Sequence, residues 1–183
     1  MGTGQSTTKY KVLLLGLDGA GKTSLLYKLR LKNNQADFLE TSSFNFEVVT
    51  QSYNNVKYEL QMWDLSGRKE LIPCWRYFYN SMNIDILIYV VSAKEPHRLR
   101  EAAVNYNRLI YENSMASTQR IVVINSFAIR DSERAFELKE DDVQHQFGGN
   151  CKIITINIRD PMLGMRRLFQ WIHDIARKKK KGK

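Results

Sequence analysis

The densest chemical signal in the chain is Gly16-Leu17-Asp18-Gly19-Ala20-Gly21-Lys22-Thr23. It reads G-x-x-x-x-G-K-T, the phosphate-binding loop pattern. Glycines let a backbone wrap closely round phosphates, with successive N–H groups pointing inward. A helix that follows offers its unpaired N–H groups and positive dipole end to the same anion. Lys22 would bring a point charge to the terminal phosphates, and the Thr23 hydroxyl would hold Mg²⁺. The alternative is a glycine-rich turn with a chance Lys-Thr, and the flanking pattern disfavours it. Val12-Leu13-Leu14-Leu15 reads as a strand leading in, and Ser24 to Arg30 as a helix leading out. Other polar groups are less telling. His97, His145 and His173 are far apart in sequence and suit helix surfaces or caps. Glu140-Asp141-Asp142 suits a solvated face, and Trp171 a core anchor.

The elements that must position the loop follow from periodicity. Tyr10 to Leu15 is a strand apolar enough for burial on both faces. A helix runs to about Leu31, and a polar loop covers Lys32 to Ser43. Phe44–Tyr53 and Val56–Trp63 form a hairpin around Asn54-Asn55, since asparagine tolerates positive φ. Pro73 argues against a continuous helix over Arg68 to Met82. Ile84–Val91, Ile121–Ile124 and Ile153–Ile156 are further strands. Helices are predicted from Pro96 to about Asn113, over Glu137–Phe147, and from Pro161 to about Lys179. In the first of these Leu99, Ala102, Ala103, Tyr106 and Ile110 share a face. In the last, Met165, Leu168, Phe169, Ile172 and Ile175 do. This alternation predicts an α/β fold: a mostly parallel six-stranded sheet with helices on both faces and one antiparallel edge strand.

Length and composition suit one globular domain: 183 residues, 43% hydrophobic. The organisation read here is a polar leader over 1–9, one domain over 10–176 and a basic tail over 177–183. Cys74 and Cys151 lack metal-ligand spacing and are expected to be buried thiols in a reducing compartment. No apolar run approaches the roughly 18 residues of a spanning helix. No secretory pattern opens the sequence, so an intracellular protein is expected. The net charge is +9, and Arg177, Lys178, Lys179, Lys180, Lys181 and Lys183 supply most of it. Met1-Gly2-Thr3-Gly4-Gln5-Ser6 fits the N-myristoylation pattern at Gly2; a plain polar leader is the competing reading. One myristoyl chain binds membranes marginally, so a second signal is expected, and the basic tail would supply it on an anionic surface. A solvated helix end is the other reading of the tail. Nucleic-acid binding is disfavoured, because no aromatic residue interleaves the lysines.

Taken together, these motifs resemble the Arf and Arf-like branch of the small GTPases. The likeness rests on Gly16 to Thr23 with Leu26-Tyr27-Lys28-Leu29, on Phe44-Asn45, on Trp63-Asp64, and on Pro73-Cys74-Trp75-Arg76-Tyr77-Phe78. It spans nearly the whole chain. The resemblance implies a monomeric P-loop NTPase small-GTPase domain that binds GTP/GDP with Mg²⁺. It implies a cytoplasmic switch, peripheral on an intracellular membrane such as Golgi or endosome, that meets effector and regulator proteins. Gly16, Leu17, Asp18, Gly19, Ala20, Gly21, Lys22, Thr23, Gly67 and Asn125 would then contact the nucleotide. Thr23, Thr41 and Asp64 would serve the metal. Phe44, Trp63 and Phe78 would form an effector-reading patch, unless they are simply core aromatics.

Three departures from the family pattern shape the functional expectation. Arg68 stands where the family has the glutamine that orients the attacking water. Arginine is donor-only and cannot accept a hydrogen bond from water, although it could pair with phosphate oxygens. Impaired hydrolysis is expected, and no catalytic residue is assigned. The base-reading Asn-Lys-x-Asp appears as Asn125-Ser126-Phe127-Ala128. Losing the carboxylate removes two hydrogen bonds of roughly 1.5–3 kcal/mol each, so guanine selectivity should weaken. The loop that backs the base appears as Ile158-Arg159-Asp160. A pseudo-GTPase, an interaction module that binds nucleotide weakly or not at all, is the competing reading.

Overall fold

The computed structural model describes residues 7–30, 42–126, 138–148, 151–157 and 162–181. Strand β1 (Thr7–Leu15) leads into helix α1 (Lys22–Arg30). The hairpin is β2 (Phe44–Tyr53) and β3 (Val56–Leu65), followed by α2 (Trp75–Ser81). Then come β4 (Ile86–Ser92), α3 (Leu99–Ile110), β5 (Gln119–Asn125), α4 (Glu140–Phe147), β6 (Lys152–Ile156) and α5 (Met162–Lys181). The sheet has six strands in the order β2-β3-β1-β4-β5-β6. Among the described residues, only the β2–β3 pairing is antiparallel. The expected fold class is the one observed.

Leucine-rich strands could have been helices. Leucine favours helix by only a few tenths of a kcal/mol over β-branched residues. Burying each such side chain is worth about 1.5–3 kcal/mol. Tertiary burial therefore decides, and every residue of β4 is buried. Alternation along β1 serves two cores. Leu13 and Leu15 face α2, α3 and α4; Val12 and Leu14 face α1 and α5. Asn54 and Asn55 both adopt positive φ (48° and 60°), as the hairpin turn requires.

Several expectations shift in detail. β1 begins at Thr7 because Thr7 to Lys9 pair with Lys57 to Glu59 of β3. β3 extends to Leu65, so Asp64 lies inside the strand, paired with Leu14 and Asn45. Pro73 sits in a 3₁₀ turn, Ile72–Cys74, that hands over to α2. Pro96 starts another, Pro96–Arg98, and α3 ends at Ile110, with Leu109 added to its buried face and Ile110 half-buried against the same core. Cys74 is exposed and Cys151 half-buried, so neither is the fully buried thiol expected. Cys74 closes the 3₁₀ turn at the surface. His173 is more than a surface residue. Its Nδ1 lies 2.6 Å from the Tyr58 hydroxyl, and its ring stands 5.6 Å from Tyr53. Glu140 is not part of a purely solvated face. It accepts from Thr155 N at 3.0 Å and from Arg167 Nη1 at 3.0 Å, which joins α4, β6 and α5. Trp171 is half-buried and packs against the α1–α5 core.

Helix α5 crosses the molecule. Arg167 near its start meets the C-terminal part of β6 through Glu140, and His173 farther on meets Tyr58 near the start of β3. The phosphate loop follows the C-terminal end of β1. The chain's first described residue, Thr7, and the distal end of α5 therefore lie toward the opposite pole.

Candidate functional site

The site is built where β1 ends. Gly16 has φ 145°, and a Cβ there would fall 2.2 Å from the Val90 carbonyl oxygen of β4. Only glycine lets the loop leave β1 so close to the neighbouring strand. Lys22, at the start of α1, folds back over the loop. Its Nζ donates to the carbonyls of Gly16 at 3.0 Å and Leu17 at 2.9 Å. Lys22 is 6% exposed, and these two bonds hold its charge at the base of the loop.

Thr23 and Asp64 meet across 41 residues of sequence: the Thr23 Oγ1 donates to Asp64 Oδ2 at 2.6 Å. Asp64 is fully buried. A hydroxyl and a carboxylate are hard oxygen donors, the class Mg²⁺ prefers. The pair therefore fits a magnesium ion, which would supply charge neutralisation to bound phosphates. Thr41, the third expected ligand, lies outside the described residues.

Gly67 is seated on the loop. Its carbonyl accepts from Asp18 N at 3.1 Å. A Cβ at Gly67 would sit 2.3 Å from Gly16 O, 2.3 Å from Leu17 C and 2.4 Å from Asp18 N. No side chain fits between these backbones. The segment is pinned from behind by Trp75, whose Nε1 donates to Ser66 O at 2.9 Å and whose ring stands edge-on to Tyr89. The sequence patterns place Trp75 in the family likeness but give it no such role. Arg68 is exposed, and its carbonyl accepts from Leu71 N and Ile72 N at 2.8 and 3.1 Å.

Asn125 closes the site from β5. Its Nδ2 donates to Ala20 O at 3.0 Å, 105 residues away, and the residue is fully buried. Here it braces the phosphate loop. Ser126, 8% exposed, follows it and donates its N–H to Ile156 O at 3.0 Å. Phe127, Ala128 and the stretch 158–160 lie outside the described residues, as does Gly2.

One feature was not legible beforehand, and a second only in part. Arg98, in the turn before α3, reaches Asp18 of the loop: Nη2 lies 2.6 Å from Asp18 Oδ1, and Nη1 donates to Asp18 O at 3.2 Å. Glu95 and Glu101 also touch this guanidinium, at 3.5 and 3.2 Å. The Asp18 hydrogen bond is the largest influence holding the guanidinium in its charged form, above even its ordinary range. The second feature is aromatic. Phe44 packs edge-on to Phe78 at 5.5 Å, and Phe46, which the patterns had not marked, tilts over Trp63 at 4.9 Å. Phe44 is 55% exposed and Phe46 45%. Trp63 and Phe78 are half-buried against the core beneath them.

Comparison with known proteins agrees with this construction. The sequence profile of the ADP-ribosylation factor family matches residues 2–175. The chain is 35% identical over 152 residues to ADP-ribosylation factor-like protein 1 of Drosophila melanogaster, covering 81% of this chain and 76% of that one. In structure it resembles the Arl6 BBS3 small GTPase of Trypanosoma brucei, described with a bound nucleotide analogue, GppNp. The TM-score is 0.73 at 17% identity, over 93% of this chain and 99% of that chain.

Proposed function

Because the chain belongs to the ADP-ribosylation factor family of small GTPases, we propose that it is a GTP/GDP-binding switch with slow intrinsic hydrolysis and relaxed base selectivity. The observation that carries this reading is the seating of Gly67 on the phosphate loop. The Gly67 carbonyl takes up the Asp18 N–H, and Lys22, Thr23 and Asp64 converge beside it. A phosphate arriving there would meet the loop and the Asp64–Arg68 segment together. Such a contact couples occupancy to the conformation of the segment, which is how a switch works. Thr23, Asp64 and Thr41 would hold Mg²⁺. Effectors would read the surface around Phe44, Trp63 and Phe78.

Slow hydrolysis follows from Arg68. A donor-only, exposed side chain supplies no acceptor to orient water. Single-turnover cleavage of GTP by the purified protein tests this, and a rate equal to that of glutamine-bearing relatives would sink it. Membrane attachment would use myristate on Gly2 together with the basic tail. The first described residue and the distal end of α5 lie toward one pole, opposite the phosphate loop, which supports a shared membrane face. Golgi or endosomal membrane is the proposed location. A Gly2→Ala protein that stays on membranes in cells would remove myristate from the account.

A second reading has its own observation. Ser126 stands in place of the family's base-covering lysine and Ala128 in place of its aspartate. A pseudo-GTPase that recruits partners without nucleotide exchange fits this. Heating the protein with Mg²⁺ and GTP, ATP or neither separates the two. A ligand at 100 times its Kd stabilises by about 2.7 kcal/mol. A shift with GTP supports the switch, an equal shift with ATP marks lost base selectivity, and no shift supports the scaffold.

A further inference from the structure

A carboxylate inside a phosphate-binding loop is an electrostatic problem. Polyphosphates carry several negative charges, and the loop's attraction rests on inward N–H groups. A freely rotating Asp18 side chain would repel the phosphates and compete for those same donors. Asp18 is also placed where this would matter most. Its own N–H is bonded to Gly67 O at 3.1 Å, beside Lys22, to which the loop pattern gives the terminal phosphates.

The carboxylate does not rotate freely. Arg98 takes Asp18 Oδ1 at 2.6 Å through Nη2 and Asp18 O at 3.2 Å through Nη1. One planar guanidinium thus fixes the side chain and the main chain of the same loop residue, a geometry a lysine cannot reproduce. The arginine is itself held. Its Nε faces Glu101 at 3.2 Å and its Nη1 Glu95 at 3.5 Å, and its side chain is only 23% exposed. Glu95 lies on the loop's flank too, since a Cβ at Gly19 would be 3.6 Å from its Oε2. Three carboxylates therefore share one cation beside the loop, and Asp18 has the shortest bond.

We infer that Arg98 is a positioning residue for the phosphate loop: by holding the Asp18 carboxylate against the start of α3, it lets the loop accept a terminal phosphate and so sets the preference for triphosphate over diphosphate. The inference rests on the nucleotide-binding reading above. It assigns to a residue outside the loop the control of which nucleotide state is favoured.

The test compares Kd for GTP and for GDP, each with Mg²⁺, on wild type, Arg98→Ala, Arg98→Lys, Asp18→Asn and the double variant Arg98→Ala/Asp18→Asn. Releasing one charge near the third phosphate should weaken GTP about tenfold in Arg98→Ala, with GDP changed by less than about threefold. Removing the released charge should restore the GTP/GDP ratio, so the double variant should return to within about threefold of wild type. Arg98→Lys keeps the charge without the fork and should fall between. A merely structural role for Arg98 predicts a different pattern: equal losses for both nucleotides, with no rescue by Asp18→Asn. That pattern, or unchanged GTP binding in Arg98→Ala, overturns the inference and leaves the nucleotide-binding reading standing. If wild type binds neither nucleotide, that reading fails and the inference falls with it. Melting temperatures without nucleotide identify a variant that has simply lost its fold, and the double variant shares any packing defect of Arg98→Ala.

Discussion

The phosphate side and the base side of the site are held by different means. On the phosphate side, main-chain groups do most of the holding: the carbonyls of Gly16 and Leu17 receive Lys22, and the Gly67 carbonyl receives Asp18 N. The side chains that join them, Lys22 and Thr23 on α1 and Asp64 on β3, stand on regular elements. On the base side, recognition in this family depends on particular side chains after β5, and here they read Ser126 and Ala128. Asn125 belongs to both sides, and in this structure it is committed to bracing Ala20 of the loop. Geometry built from backbone depends on the glycines rather than on particular side chains. Recognition built from side chains is lost one substitution at a time.

Breaking the phosphate side should have the largest effect. Gly67→Ala would force a Cβ to within 2.4 Å of three backbone atoms of the loop. The segment must retreat, and the Asp18–Gly67 bond is lost. Nucleotide affinity should fall by about 100-fold, with a stability loss of about 1–3 kcal/mol from overpacking. Titration with GTP and chemical denaturation check both, and wild-type affinity would show that Gly67 does not govern the loop.

Repairing the base side sharpens the contrast. Ser126→Lys with Ala128→Asp restores the carboxylate that two guanine N–H groups would meet. The GTP-over-ATP preference should rise by about tenfold or more, since each charged hydrogen bond is worth roughly 1.5–3 kcal/mol. Competition between the two nucleotides reads it directly. A preference that does not move would place the erosion elsewhere in the pocket.

A smaller effect is expected of Arg68→Gln, which returns an acceptor to the water-orienting position. Hydrolysis in single turnover should quicken by about tenfold, with affinity unchanged. A rate that stays put would mean that Arg68 is not what limits hydrolysis.

The smallest effect lies far from nucleotide. Burial alone would raise the Glu140 carboxyl, but hydrogen bonds from Arg167 and Thr155 outweigh it and hold the group below its usual 4.5. A depressed folded-state value adds stability that is present above about 4.5 and is lost as pH falls through the lower value. Glu140 and Arg167 are 39% and 42% exposed, so solvent screening limits the gain to about 0.5 kcal/mol. Glu140→Gln should flatten the acid side of the stability curve and leave nucleotide affinity alone.

Much of this was readable beforehand for a physical reason. The loop is local: glycine spacing, a strand before it and a helix after it specify its shape without reference to distant residues. The strands announced themselves because two-sided burial demands continuous apolar runs, as in Val12 to Leu15. The hairpin turn was legible because Asn54 and Asn55 are among the few non-glycine pairs that tolerate positive φ. Element ends were less so. Thr7 to Lys9 are polar and join β1 only because β3 offers them a pairing partner.

What the amino-acid order determined alone, then, is a loop of phosphate-binding pattern on a mostly parallel sheet, with Ser126 and Ala128 where the family reads the base. Which side chains close round that loop was decided by tertiary structure. Arg98 meets Asp18 across 80 residues and Asn125 meets Ala20 across 105, and no local pattern marks either pair. The cause is topological. Parallel strands bring the ends of β1, β4 and β5 side by side, so the turns that follow them meet at one edge. Polar groups far apart along the chain become partners only there, because a buried amide or guanidinium must find an acceptor within about 3 Å.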